Sequence, residues 1–551
     1  MMAGMEKARK IILVDSDPTA RTSPQIRIGL ARIATSLLDA EFLVQEVGQK
    51  GTTLDGRSRP VMPHNVLKSL VGNPDAELVA IGVPYAEGDN VSCRISLDTL
   101  IGMIRVIDRF RKATGRNIQI VLGGLGITLD TEGTLKFFVK ELGERANNLV
   151  AVQGEGDLIM RDIALNPEGL MEDSRLWRVD HSGAILPGEH QALTSAELSS
   201  LPRFHQDFAP AGLEGARGCK RGCKYCVLRA SGGKEIREFS PEAFVEDLEQ
   251  ILRHGDNMYK EITDNNFLDV GIEWWRKVYQ LVADRGLLNI LKYVDLKVAA
   301  NFEDLRDLTD EDLILLKELG VKDIQIGVQS FDQEILRRNN RASTNHEQLK
   351  QFCIRCESLG ITINVDIIIG LPTGSNDQDV IMEKTMGDIM QAFLLAPVAR
   401  INIYEMSITR GSPLYEEGYD GSESLLGDNL CGRAMYVFAY IRWMQIIRTE
   451  ISGEYMIGRK IEIQGGAQMH QLMRFHQGIR RMCASIINNL DTTETEKEKL
   501  RNMCGLNLEV EEIVVLYSNW RSQYYEALAK RDRIAEGDDI PEWAKLKIVG
   551  K

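Results

Sequence analysis

Cys219, Cys223 and Cys226 fall within eight positions of one another in the stretch GARGCKRGCKYCVLR, residues 215–229. Thiolates so spaced hold soft metals, yet a structural zinc site takes four ligands and no fourth Cys or His lies close by in sequence. A catalytic zinc with an open position is compatible with three ligands, but all-thiolate ligation favours structural zinc or an iron–sulfur cluster. A cubane cluster held by three thiolates leaves one iron open to a substrate or cofactor. Gly218 and Gly222 let the chain wrap closely around a bulky inorganic core. Arg217, Lys220, Arg221, Lys224 and Arg229 offset the negative charge of thiolates and sulfides. Cys353 and Cys356 also form a C-x-x-C, but they share a helical stripe with Leu349, Phe352 and Leu359, which predicts a buried core face. Cys93, Cys431, Cys483 and Cys504 are isolated.

The elements that position the trio are those of an α/β protein. Short β-branched runs at 11–14, 42–47, 78–83, 118–122 and 149–153 alternate with helical patterns at 25–40 and 97–113, which predicts a Rossmann-like or flavodoxin-like parallel sheet. In such sheets ligands lie beyond the carboxyl ends of the strands, which here read DSDP, GVPY, GGLG and GEGD. A hairpin turning at Ser182 and Gly183 follows, then a connector, LSSLPRF. Alternation resumes with strands near 213–216, 260–264, 294–299, 324–328, 362–368 and 400–406, and with helices such as 241–254 and 310–319. Six βα units suit a partial TIM-type barrel. The resulting division is an α/β domain at 1–165, a connector at 166–207, a partial barrel at 208–424 and a mainly helical domain at 425–551.

At 551 residues, 44% hydrophobic and 26% charged, the chain has the composition of ordinary globular domains. Its net charge of −14 argues against a nucleic-acid partner, whose binding would need a basic surface. No run of about 18 apolar residues suggests a membrane span, and no secretory leader is apparent. Nine cysteines in such a chain read as reduced thiols in the cytoplasm. His470 and His476 are spaced too poorly on one helix face for a metal pair, and RRNNR at 337–341 reads as a solvated helix end.

Cys219-x3-Cys223-x2-Cys226, with Tyr225 before the third cysteine, resembles the signature of the radical S-adenosylmethionine (SAM) superfamily. The resemblance implies a [4Fe-4S] cluster on the three cysteines, with SAM chelating the fourth iron, and Tyr225 beside the adenine. ITDNNF, 262–267, is similar to the family's second-strand motif, which would put Asp264 and Asn265 near the SAM amino group. IGVQSF, 326–331, places Gln329 and Ser330 near the methionyl or ribose part, and VDIIIGLPTG, 365–374, brings Asp366 to the fifth strand. RINIYEMSITRGSPLYEEG, 400–418, is similar to the sixth strand and its exit, so the resemblance runs from about 215 to 420.

The first 205 residues resemble the cobalamin-binding domain that precedes the barrel in one large subclass, through SPQIRIGLARIATSLLD, IVLGG, VQGEGD and the connector into LSSLPRF. Gly123, Gly124, Gly154 and Glu155 are the contacts that this implies. None of the eight histidines sits in a D-x-H-x-x-G motif, since Asp180 and His181 are adjacent, so a bound cobalamin would lack a lower histidine ligand. The activity implied is a cobalamin-dependent radical SAM C-methyltransferase. A methyl group would pass from SAM through methylcobalamin to an unactivated carbon that a 5'-deoxyadenosyl radical has opened. The methyl acceptor would be a small molecule or a protein residue, the electron donor a flavodoxin or ferredoxin, and the setting anaerobic. Alternatives are an oxidative cyclase or rearrangement enzyme with the same two domains, and a non-catalytic iron–sulfur or corrinoid sensor. A methylthiotransferase fits less well, because no second cysteine trio lies in the N-terminal domain and no small basic β-barrel is apparent at the C-terminus. No general base is evident.

Overall fold

The computed structural model describes residues 10–15, 28–47, 63–73, 75–83, 97–210, 212–228, 233–254, 259–406, 408–409, 411–419, 437, 441, 479–508, 512 and 515. They belong to two compact units: residues 1–221, 226–256 and 407–418 in one, and 222–225, 257–406 and 419–551 in the other.

The first unit is built on a seven-stranded sheet. Its parallel strands Lys10–Asp15, Leu43–Val47, Ala76–Gly82, Gln119–Gly123 and Leu149–Ala151 lie in the spatial order second, first, third, fourth, fifth. That is the flavodoxin-like order, whose chain reverses direction across the sheet between the first and third strands. Helices Ile28–Asp39, Pro63–Gly72, Leu97–Thr114 and Thr131–Leu142 cover it. The apolar runs exist because a parallel sheet is covered on both faces. Ile12, Val79, Ile120 and Leu122 are accordingly buried with Ile104, Leu135 and Phe138 from the helices. Sequence periodicity did not single out Thr131–Leu142. It starts where the Asp130 carboxylate accepts from the Gly133 N–H at 3.0 Å, and it turns Leu135, Phe138 and Leu142 inward.

The hairpin folds as expected, Trp177–Val179 pairing antiparallel with Ile185–Leu186. Asp180 Oδ1 closes the turn by accepting from Ser182 N, Ser182 Oγ and Ala184 N at 2.7–2.9 Å. The hairpin also extends the sheet, Trp177 lying opposite Ala151. Two expected strands are divided. The fifth ends at Ala151, and Gln153–Gly154 leaves to pair with His190–Gln191. The strand expected at 213–216 becomes Gly212–Leu213 and Ala216–Arg217, the latter pairing antiparallel with Arg237–Glu238. Glu214, at the break, turns its carboxylate to Arg217.

Charge is also buried in this unit. Arg32, 1% exposed, reaches Asp247 at 2.6 Å and Glu214 at 3.5 Å, and its guanidinium carbon lies 3.9 Å from the centre of the Phe204 ring. Arg203 adds a second contact to Asp247 at 3.1 Å.

The second unit carries parallel strands Tyr259–Ile262, Asp295–Ala300, Val321–Gln329, Thr362–Ile369 and Arg400–Glu405, adjacent in chain order. Helices Ile272–Asp284, Asp310–Glu318, His346–Ser358 and Gln378–Leu395 lie between them in sequence. Barrels of this type are ordinarily filled by layers of branched apolar side chains. Here the strands alternate instead. Ile324, Ile326 and Val328 are fully buried, while Asp323, Gln325, Gly327 and Gln329 occupy the other face. On that face the Gln325 and Asn402 amides donate to Asp366, and the Asn364 amide donates to Asp323. The inner wall is therefore polar.

Burial of carboxyls here has a measurable consequence. Burial pushes Asp295 up to about 6, against the pull of Lys322 at 3.2 Å. It pushes Asp388 up to about 6 as well, against the hydrogen bonds from Ser330 and Phe331, and raises Asp366. The folded state thus holds these protons more tightly than the unfolded chain, so the contribution of these carboxyls to stability is greatest below the ordinary carboxyl value and declines as pH rises through about 6. Thermal melts between pH 4 and 7 are expected to show this fall, and Asp295→Asn to make it shallower.

Toward the C-terminus, the helix Glu494–Met503 is capped by the Thr493 hydroxyl, and residues 479–489 are helical. Lys350 meets Glu496 at 2.6 Å. His470, His476, Cys93 and Cys431 lie outside the described residues, as do Arg229 and parts of the DSDP and GVPY segments. Among the described residues, no helix is long and apolar enough to cross a membrane.

Candidate functional site

The cysteine loop begins where Ala216–Arg217 ends. Gly218 takes a φ of +101°, open to glycine and costly for other residues, and the Cys219 N–H donates to the Gly233 carbonyl at 3.1 Å. Cys219, Cys223 and Cys226 are each partly exposed, and Tyr225 is half-buried. Residues 222–225 are held by the segment that sequence alone read as a solvated helix end. Asn339 is fully buried, and its carbonyl accepts from the Lys224 N–H at 3.0 Å. The Asn340 amide donates to the Gly222 carbonyl at 2.8 Å, from a backbone with φ +50°. Arg341 donates to Cys223 Sγ at 3.7 Å and to the Gly327 carbonyl. The same segment reaches the fifth-strand turn, since the Asn339 amide also donates to the Pro372 carbonyl at 3.3 Å. Asn339, Asn340 and Arg341 thus form a bracket joining the cysteine loop, the fourth strand and the GLPTG turn. The one sequence signal for it was asparagine before arginine just past a helix, a place where left-handed backbone is common.

At the carboxyl ends of the second unit's strands, Asp264 is buried and Asn265 half-buried. Their neighbour Asn266, absent from the sequence-based candidates, is the brace: its amide donates to Asp269 at 2.7 Å and to Asp304 at 2.8 Å, and its oxygen accepts from the Asn301 N–H at 3.3 Å. Gln329 ends the fourth strand with φ +74°, a strained value for a non-glycine residue, and its buried Oε1 has no hydrogen-bond partner among the described residues. Ser330 is fully buried, and its hydroxyl donates to Asp388 at 2.7 Å, tying the strand to Gln378–Leu395. Asp366 accepts the two amides described above, from the strands on either side.

In the first unit, the four residues expected at the sheet edge serve different ends. A Cβ on Gly123 would meet nothing within 4 Å among the described residues. Gly124, at φ +96°, packs against Val83, whose carbonyl oxygen would lie 2.6 Å from a Cβ, and Gly154, at φ +97°, packs against Gln191 in the same way. Their lack of a side chain is therefore required by the protein's own backbone. Glu155 accepts from the Leu193 N–H at 2.7 Å and pairs with Arg237 at 2.8 Å. Beside it, burial would raise the Asp157 carboxyl, but the Arg217 guanidinium outweighs burial and leaves it below the usual carboxylate range. Burial likewise opposes the charge on Arg217, yet Asp157 and Glu214 hold it well above its ordinary value.

Cys219, Cys223 and Cys226 are each partly exposed and Arg341 donates to the sulfur of Cys223, thiol chemistry that suits an iron–sulfur cluster, while among the described residues no three or more ligating side chains are gathered so as to hold a metal ion. The buried Gln329 oxygen, without a partner among the described residues and on strained backbone at a strand end, suits an N–H or O–H donor of a ligand seated there. The space that the described residues leave at Gly123, at the carboxyl end of the fourth strand, suits a ligand lying over the sheet edge.

Comparison with known proteins agrees. Residues 213–384 match the model of the radical SAM superfamily. A tRNA-2-methylthio-N(6)-dimethylallyladenosine synthase from Oceanobacillus iheyensis is 27% identical over 196 residues, 34% of this chain and 36% of the relative. One from Staphylococcus aureus is 29% identical over 189 residues, 33% of this chain and 35% of the relative. The chain therefore spans about a third of the length of these curated relatives. Solved structures match far more of it. The radical S-adenosylmethionine methyltransferase TsrM from Kitasatospora setae, with cobalamin and a [4Fe-4S] cluster bound, superposes with a TM-score of 0.57 at 16% identity, covering 75% of this chain and 74% of that one. The cobalamin-dependent S-adenosylmethionine radical enzyme OxsB, with aqua-cobalamin and SAM bound, gives 0.61 at 14% identity, covering 98% and 83%. At such identities the likeness is one of fold. Residues 213–384, which hold the cysteine loop, thus match the radical SAM superfamily, and the chain shares its fold with these two structures.

Proposed function

We propose that this protein is a cobalamin-dependent radical SAM C-methyltransferase acting on an unactivated carbon. The observation that carries the reading is the presence, in one chain, of a flavodoxin-order sheet and a segment that matches the radical SAM superfamily. When bound, the cluster supplies an electron for cleaving SAM, and cobalamin supplies a carrier for the methyl group. Cys219, Cys223 and Cys226 hold the cluster, and Arg341 offsets the charge of the Cys223 sulfur. Tyr225 lies beside the adenine, Asp264 and Asn265 face the amino group, and Gln329 presents its amide oxygen to the methionyl or ribose part. Ser330 and Asp366, whose polar atoms bond within the protein, orient that strand end from behind. Gly123 would hold the corrin, with Gly124, Gly154 and Glu155 shaping the edge from within. The acceptor is a small molecule or a protein residue, and electrons arrive from a flavodoxin or ferredoxin.

The test is anaerobic reconstitution with iron, sulfide and cobalamin, followed by incubation with methyl-labelled SAM and candidate acceptors. About four irons and one cobalt per chain, and a product heavier by the labelled methyl, are expected. Bound cobalt with SAM cleavage but no methyl in the product would replace this reading with a rearrangement or oxidative cyclisation. The tRNA reaction named for the curated relatives is disfavoured, because Cys93 is the one cysteine upstream of the loop and cannot by itself hold a second cluster.

Gln329 gives a sharper check of the SAM site. Gln329→Ala removes one hydrogen-bond acceptor, so the Kd for SAM is expected to weaken about tenfold in equilibrium dialysis, with iron content unchanged.

A further inference from the structure

Asp157, Glu214, Arg217 and Arg237, to which the proposed chemistry gives no role, form a largely buried charge network in the first unit with Glu155 of the proposed corrin edge. Ala216–Arg217 and Arg237–Glu238 pair antiparallel, so that Arg217 and Arg237 stand directly opposite each other. Two like charges so placed repel. The loop at 154–157 resolves the repulsion. Arg217 clasps Asp157 with both terminal nitrogens, at 2.8 and 3.1 Å, and turns its other edge to Glu214 at 2.9 and 3.1 Å. Arg237 takes Glu155 at 2.8 and 2.9 Å and the Leu193 carbonyl at 2.7 Å. The side chains of Arg217 and Asp157 are 13% and 5% exposed, so solvent competes little for these bonds.

A buried ion pair is a weak device for stability, since a well-packed apolar pair often serves as well. A planar guanidinium engaged on both edges does something apolar packing does not: it fixes orientation. One end of this clasp lies in the segment just after the fifth strand of the α/β sheet, the edge at which sheets of this order bind ligands. The other lies two residues before Cys219.

We propose that Arg217 is a positioning residue that ties loop 154–157 to the strand delivering Cys219, so that a ligand seated on the sheet edge tightens the cysteine loop. The inference rests on reading that edge as a corrinoid site.

The experiment uses the full chain, reconstituted anaerobically, and measures the rate of iron loss to a ferrous chelator with and without hydroxocobalamin. In the wild type, cobalamin is expected to slow the loss. In Asp157→Asn the loss is expected to be about tenfold faster, as for other changes around a metal's ligands, and cobalamin to slow it no further. Arg217→Lys keeps the charge without the fork, and its rate is expected between the two. Asp247→Asn, in the neighbouring pair with Arg32, is the control for general loosening: it lowers the melting temperature and leaves iron loss at the wild-type rate. Wild-type iron loss in both Asp157→Asn and Arg217→Lys overturns the proposal, and so does equal acceleration by Asp247→Asn. If Asp157→Asn accelerates the loss but cobalamin neither binds nor slows it in any variant, the tie stands and the corrinoid reading fails.

Discussion

Cys219→Ala, reconstituted anaerobically, is expected to retain no cluster and to cleave no SAM. Two thiolates of a three-thiolate set remain, and a cubane that already offers one iron to SAM would then present two unprotected irons. Iron per chain and the visible absorbance of the reconstituted protein measure the loss. Cys356→Ala supplies the contrast. Burial pushes the Cys356 thiol up to about 12 and raises that of Cys353 further still, so neither provides the thiolate that a metal requires. Iron content is expected to be unchanged in that variant. Full iron retention by Cys219→Ala would refute the assignment of the loop.

The largest loss of stability is expected from Arg32→Met. The substitution nearly preserves side-chain length and the contact with Phe204, yet it leaves the buried Asp247 with Arg203 as its ion-pair partner among the described residues and takes a cation from Glu214. Removing one partner of a buried pair costs about 3–5 kcal/mol, far more than breaking a pair on the surface. Urea unfolding should show an earlier transition. Arg32→Met with Asp247→Leu should recover part of the loss, because no uncompensated carboxylate then remains. No recovery in the double variant would mean that the cost lies in packing.

These two expectations differ in how far the sequence led to them. The cysteine trio was legible because ligand spacing is local, and so were the strands, because a β-branched run bounded by glycine reflects the burial of both sheet faces. Asp180, Ser182 and Gly183 announced their hairpin because a turn is made by the residues within it. Arg32 gave no such notice. In an amphipathic helix an arginine reads as solvent-facing, and its burial depends on Asp247, 215 positions away. Asn339 and Arg341 were misread for the same reason, as their partners lie on the cysteine loop and two strand ends. Gly124 and Gly154 were recognised as special, but the cause was placed in a ligand when Val83 and Gln191 already demand it. Helix Thr131–Leu142 escaped although Leu135, Phe138 and Leu142 keep helical spacing, and its four charges, Glu132, Lys136, Lys140 and Glu141, are all exposed on the other side.

The bracket at 339–341 also bears on the order in which the protein matures. Asn340 and Arg341 follow Gly222 and Cys223 by 118 positions. A ribosome adding about 5–20 residues per second takes roughly 6 to 24 s to cover that distance. For that interval the nascent chain carries its cysteines without the side chains that seat them. The bracket on Gly222, Cys223 and Lys224 is therefore complete only once the fourth strand and the helix after it have left the ribosome, and a chain truncated before Asn339 would lack it.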